Sequence, residues 1–124
     1  MKMIPRFIHA VADYLCGLIL LLAPNLLGFA DLGGASVWVP RIVGLLVLGQ
    51  AMMTQYELGL IKIIPIGTHL MSDYVVGAFL LAAPWLFGFT AARVPTVTLT
   101  VMGLLVFGLT TMTQPAGRPR EVMA

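Results

Sequence analysis

KMIPRFIHAVADYLCGLILLLAPNLLGF, residues 2–29, is matched 60 positions later by KIIPIGTHLMSDYVVGAFLLAAPWLFGF, residues 62–89, and 14 of the 28 aligned positions are identical. The identities include Lys2/Lys62, Pro5/Pro65, His9/His69, Asp13/Asp73, Tyr14/Tyr74, Gly17/Gly77, Pro24/Pro84, Gly28/Gly88 and Phe29/Phe89. An apolar segment is free to drift among Leu, Ile, Val and Phe. The shared positions are instead the polar and helix-breaking ones, so the match is a repeat of structure and not of composition alone.

The repeat extends past this stretch. GLLVLGQAMMTQ (Gly44 to Gln55) returns as GLLVFGLTTMTQ (Gly103 to Gln114), and across 41–55 against 100–114 there are 8 identities in 15 positions. The offset has fallen to 59, so the second copy is one residue shorter in its tip loop, where a change of length costs little.

Each copy reads as a pair of membrane helices. Between Asp13 and Asp31 there are 17 uncharged residues, and extending back to Pro5 gives a helix of about 36 Å at 1.5 Å per residue, long enough to cross a bilayer with some tilt. Pro5 suits a first helical turn and Gly28 a C-terminal end. Pro24 should loosen the last turn, because it lacks the N–H that would bond the Leu20 carbonyl. Asp31 to Pro40 reads as a connection rich in turn formers, with Trp38 at the depth of an aromatic belt.

Composition supports a lipid solvent. The 124 residues are 60% apolar and 10% charged, with a mean hydropathy of +1.00, too little charge to cover a soluble globule. The net charge of +2 is dispersed along the chain, unlike the clustered Lys and Arg of a nucleic-acid surface, so no nucleic acid is expected as a partner. Cys16 is the single cysteine, which excludes an internal disulfide, a CxxC redox centre and a cysteine zinc cluster. Lys2 and Arg6 ahead of an apolar run resemble a signal peptide, yet the run recurs at 62–89, so the first copy is read as a retained span.

The fold class expected is therefore an all-α membrane protein: four transmembrane helices forming two tandem quasi-equivalent hairpins. The first repeat is 1–56, with spans at about 5–28 and 38–56; an interfacial connection follows at 57–67. The second repeat is 68–114, with spans at about 68–88 and 96–114, ahead of a flexible polar tail at 115–124. Two crossings per copy bring both copies in from the same side, a parallel repeat with a pseudo-twofold axis along the membrane normal. Lys2, Arg6, Lys62, Arg118 and Arg120 fall on the side of the termini, against Arg41 and Arg93 opposite, which places both termini in the cytoplasm.

His9 and Asp13 are four apart, as are His69 and Asp73, so each pair stacks on one helix face. Thr54, Gln55, Thr113 and Gln114 end the even-numbered spans at the same membrane face. The residues together predict a polar layer at the cytoplasmic end. An Asp near a helix N-terminus is favoured by the dipole, and a neighbouring His, Thr or Gln can complete its hydrogen bonds. The main expectation is that such a network is structural, each Asp bonding within its own hairpin. Two alternatives stay open. The two His and two Asp could chelate an ion such as Zn²⁺ if the copies face one another, or the pairs could relay protons or bind a cation at the mouth of a pathway. A pathway calls for a polar interior, whereas Gln50 has Leu109 as its counterpart and the far halves of the spans are Leu, Val, Phe and Gly.

The remaining motifs read as packing. Gly44/Gly49 and Gly103/Gly108 are five apart and do not form GxxxG; close helix contact is the expectation. Trp85 and Trp38 read as interfacial anchors, and the methionines as adaptable packing. The sequence contains no HExxH, nucleophile elbow or phosphate-binding glycine loop.

Ala23-Pro24-Asn25-Leu26-Leu27-Gly28-Phe29 and Ala83-Pro84-Trp85-Leu86-Phe87-Gly88-Phe89, each closing a helix that began with His-x3-Asp, resemble the SPW-repeat family of small bacterial and archaeal membrane proteins. That family is named for a Ser-Pro-Trp motif ending the first helix of a two-helix repeat. Here Ala replaces Ser in both copies and Asn25 replaces Trp in the first; Pro24, Pro84, Trp85 and the following Leu-x-Gly-Phe keep the pattern. The resemblance covers about 5–114 and implies a four-helix integral protein of a prokaryotic cell membrane; it brings no established catalytic activity, and no catalytic residue and no cofactor are expected from the sequence. The function expected is a structural or accessory membrane component. A small proton or cation transporter or channel, working as an oligomer, is the alternative, and a membrane metalloprotein a further one. The partners implied are the lipid bilayer and, as an open alternative, a homo-oligomer or membrane-complex partner.

Overall fold

The computed structural model describes residues 4–54 and 58–113. Among them the chain forms four α-helices, α1 (Arg6–Leu26), α2 (Ala35–Met52), α3 (Ile66–Leu86) and α4 (Arg93–Met112), with a 3₁₀ turn at Ala30–Leu32 between α1 and α2. Gln55, Gln114, Lys2, Arg118, Arg120 and the expected tail at 115–124 lie outside the described residues. Each helix has an 18-residue window of mean hydropathy between 1.3 and 1.8. At about 1.5 Å per residue the helices are roughly 27–32 Å long, matching a hydrocarbon core of about 30 Å. The molecule is an all-helical integral membrane protein.

The helix ends follow local chemistry and move several expected boundaries. Pro5 and Pro65 stand just outside α1 and α3 in extended conformation, and their carbonyls accept from the His9 and His69 N–H groups at 3.1 and 3.0 Å. Thus α1 and α3 begin at residues 6 and 66, against expected starts of 5 and 68. At the other end Gly28 and Gly88 have φ of 77° and 72°, the left-handed conformation that lets the next N–H turn back. Phe29 donates to the Pro24 carbonyl and Phe89 to the Pro84 carbonyl, both at 2.9 Å. The prolines that lack a donor thereby supply the acceptor that closes the helix, and both helices run unbroken through them.

The second span starts earlier than expected. Gly34, with φ of 62°, reverses the chain, and α2 begins at Ala35 with Pro40 carried inside it. Ser36 steadies this start by donating to the Gly33 carbonyl at 2.9 Å. The same helix ends at Met52, short of the expected 56, because the next residues pair as extended chain. Ile64 N–H donates to the Met53 carbonyl at 2.7 Å and Ile4 N–H to the Met112 carbonyl at 2.7 Å. These contacts form parallel bridges between Thr54 and Ile64 and between Ile4 and Thr113. In α4, Arg93 and Pro95, expected in the loop before residue 96, already lie in the helix; a proline in the first turn forfeits no helical bond.

Helix α1 packs chiefly on α2, and α3 chiefly on α4. Glycines set the approach. A methyl on Gly44 would stand 2.5 Å from Leu21 N and 2.7 Å from the Gly17 carbonyl, and one on Gly103 3.0 Å from the Gly77 carbonyl. Gly49 and Gly108 face open space, so close contact belongs to only one glycine of each pair. Between the hairpins lies an apolar core that includes Cys16, Leu20, Val43, Leu80, Leu99 and Met102; the lone cysteine is one more core side chain. At the far end Trp38 meets Phe87 edge-on at 5.3 Å, while Trp85 is 74% exposed.

Candidate functional site

His9 and Asp13 occupy the first two turns of α1, and His69 and Asp73 the same turns of α3. All four are buried, and they converge on one point between the hairpins. His9 Nε2 lies 2.9 Å from Asp73 Oδ2 and 3.2 Å from Asp13 Oδ1. His69 Nε2 lies 2.8 Å from Asp13 Oδ2 and 3.2 Å from Asp73 Oδ2. The imidazole rings stand edge to face, 5.6 Å apart and 81° to one another.

The shorter contacts cross from one hairpin to the other. The sequence expectation was a pairing within each hairpin, and those contacts exist, but they are the longer ones. The reason is the direction of the side chains. Residues four apart on a helix run alongside one another, with Cβ atoms about 5–6 Å apart, whereas side chains from two facing helices meet end to end.

The second nitrogen of each ring is held just as firmly. His9 Nδ1 is 2.7 Å from Thr113 Oγ1 and His69 Nδ1 is 2.6 Å from Thr54 Oγ1. Each threonine hydroxyl already donates to a carbonyl four residues back, Thr54 to Gln50 at 2.6 Å and Thr113 to Leu109. Its proton is therefore spent, and it must accept from the imidazole. Both histidines carry a proton on Nδ1 and present Nε2 to the carboxylates. The unwinding of α2 and α4 at their last residues is what aims these hydroxyls inward, and both threonines are fully buried.

Several contacts were not read from the sequence. Tyr14 donates to the Leu58 carbonyl at 2.8 Å, tying α1 to the connection between hairpins; the Tyr14/Tyr74 identity was the available signal, although Tyr74 instead meets Phe107. Ser72 donates to Gln50 Oε1 at 2.7 Å, so Gln50 bridges the hairpins. Asn25 accepts from Arg41 at 2.9 Å at the opposite membrane face. Thr110, one turn before Thr113, is buried with its hydroxyl unpartnered among the described residues; the aligned position in the first copy is Ala51, also fully buried.

The arrangement suits charge pairing and ligand donation. Two imidazole nitrogens and two carboxylates face one another, with Ala10, Ala51 and Leu70 buried nearby in the same end of the bundle. The helix-closing segments are also informative. Ala23 and Ala83 are fully buried, so a small side chain belongs at the position ahead of each proline, and Trp85 points outward. Comparison with known proteins gave no match among curated proteins and none among solved structures. The model of the SPW repeat domain, however, matches residues 7–113, spanning all four helices and the quartet between them, and the chain belongs to that family.

Proposed function

We propose that the protein is a non-catalytic structural component of a prokaryotic cell membrane, in which two quasi-equivalent hairpins, 1–56 and 68–114, are clasped by the buried His–Asp quartet. The observation that carries this reading is the crossing of the ion pairs: His9 to Asp73 and His69 to Asp13, each about 0.3–0.4 Å shorter than the contact within a hairpin. Side chains that bond across the hairpins hold them together; side chains that bond within them do not. The apolar layers beyond the quartet, with Leu20, Leu80 and Leu99 fully buried, support a clasp over a conducting path. Five basic residues beside the termini against two opposite support a cytoplasmic position for the quartet.

The test is Asp73→Asn in detergent micelles with chelator present. Breaking a buried ion pair by removing one partner costs about 3–5 kcal/mol, so unfolding should move to markedly lower temperature, and liposomes bearing the wild type should pass neither protons nor cations above the lipid background. Unchanged unfolding of the variant would reject the clasp, and a flux abolished by Asp73→Asn would favour transport.

A further inference from the structure

We propose that the His9–Asp13–His69–Asp73 quartet binds one divalent first-row transition ion in four-coordination, with Zn²⁺ the best match. The proposal gives the clasp an occupant and so rests on the same crossed geometry.

Four observations carry it. First, one ligand atom from each residue lies within 4.8 Å of the other three, and the four nitrogen–oxygen separations are 2.8–3.2 Å. Ligands about 2.0–2.1 Å from a tetrahedral ion stand about 3.3 Å from one another; the short contacts reach Asp73 through Oδ2 and Asp13 through both of its oxygens, and with one atom taken from each residue the widest edge closes by at most about 1.5 Å. Second, the histidines are prepared as ligands: Nδ1 donates to Thr54 or Thr113, which fixes each ring and leaves Nε2 facing the centre, where it releases its ion-pair proton to solvent as the ion enters. A hydrogen-bonded second nitrogen is the usual support of a metal-bound imidazole. Third, two carboxylates balance the charge of one divalent ion, so the filled site is neutral, which a monovalent or trivalent ion would not achieve within an apolar bundle. Fourth, the donors are two imidazoles and two carboxylates. That set suits Zn²⁺ and its neighbours, whereas Ca²⁺ and Mg²⁺ call for six or more oxygens. The carboxylate side retains a way in, since the Asp13 and Asp73 side chains keep 10% and 6% of their surface accessible against 1% for each histidine.

The experiment uses the full chain without a polyhistidine tag, stripped with chelator and placed in lipid nanodiscs. Calorimetric titration with Zn²⁺ should give one ion per chain. Co²⁺ should develop the intense visible bands of four-coordination, and Zn²⁺ should abolish them. Asp13→Asn should remove the bands. Thr54→Ala and Thr113→Ala keep all four ligands and should weaken Zn²⁺ binding about 10–100-fold, which keeps the test decisive if Asp13→Asn fails to fold. Absence of Zn²⁺ binding to the folded wild type, the weak bands of six-coordinate Co²⁺, or bands indifferent to Asp13→Asn and both threonine variants would overturn the proposal. The two readings fail separately. If Asp73→Asn destabilises the metal-free protein but Zn²⁺ does not bind, the clasp stands and the metal site falls. If Zn²⁺ binds with the predicted signature while metal-free Asp73→Asn is as stable as the wild type, the metal site stands and the clasp falls.

Discussion

Replacing Gly44 by Ala tests the packing within the first hairpin. The added methyl would sit 2.5 Å from the backbone nitrogen of Leu21, about 0.9 Å inside the 3.4 Å at which ordinary contact begins. It would also stand 2.7 Å from the Gly17 carbonyl and 3.0 Å from Leu21 Cα. All three obstacles are backbone, so no rotamer change relieves them and the helices must part. Overpacking of this kind costs about 1–3 kcal/mol, and the upper end applies where backbone has to move. Alanine recovers about 1 kcal/mol of helix propensity over glycine, leaving a net loss of about 2 kcal/mol. Gly49→Ala is the matched control on the same helix, because its methyl meets nothing within 4 Å; it should be neutral or gain up to about 1 kcal/mol. Unfolding in mixed micelles, followed by circular dichroism and by the emission of Trp38, which meets Phe87, in a Trp85→Phe background, reads both. Equal stability of Gly44→Ala and wild type, or an equal loss in Gly49→Ala, would refute the claim that α1 and α2 touch through Gly44.

Two further substitutions probe separate features by the same assay. Gly28→Ala meets no atom within 4 Å, so its only penalty is the φ of +77°; a loss of about 1–2 kcal/mol is expected, and Gly28→Asn, which tolerates that conformation better, should lose less. Thr110→Val keeps the shape of the side chain and removes a buried hydroxyl that has no hydrogen-bond partner among the described residues, so it should stabilise the protein by about 1–2 kcal/mol; a loss of stability would mean that the hydroxyl has a bonded partner.

The helices and their exits were legible in the sequence because the signals are local. Seventeen uncharged residues after Asp13, a glycine at position 28 and its copy at 88 each act within a turn of where they stand. The same locality explains the misplaced boundaries. Pro40 reads as the end of a loop when only its neighbours are considered, yet the reversal at Gly34 starts the helix ahead of it. Thr54 reads as part of the last turn of a helix that runs to 56, yet it pairs with Ile64, a partner beyond the reach of helical periodicity. The polar layer itself could be read from the spacing of His9, Asp13, His69 and Asp73. Its wiring could not, because the choice of Asp73 over Asp13 as the nearer partner of His9 depends on which faces of α1 and α3 meet. That is decided by apolar packing, where Leu, Val and Ile are nearly interchangeable. The sequence already puts Thr54 and Thr113 in this layer, as partners of the aspartates; that they instead hold the Nδ1 atoms of His69 and His9 was hidden for a related reason, because it requires α2 and α4 to unwind at their final residues.

The crossing of the quartet also has a place in time. His9 is made early, but Asp73 follows 64 residues later and Thr113 104 residues later. At about 5–20 residues per second, His9 waits roughly 5–20 s for the last of its partners. Until Asp73 emerges, about 3–13 s after His9, Asp13 is the only carboxylate of the quartet that His9 can meet, in a contact that is 3.2 Å long in the finished protein. The crossed contacts of the quartet can therefore close only after the first hairpin has been made in full, when the second helix pair brings Asp73 and His69 to it.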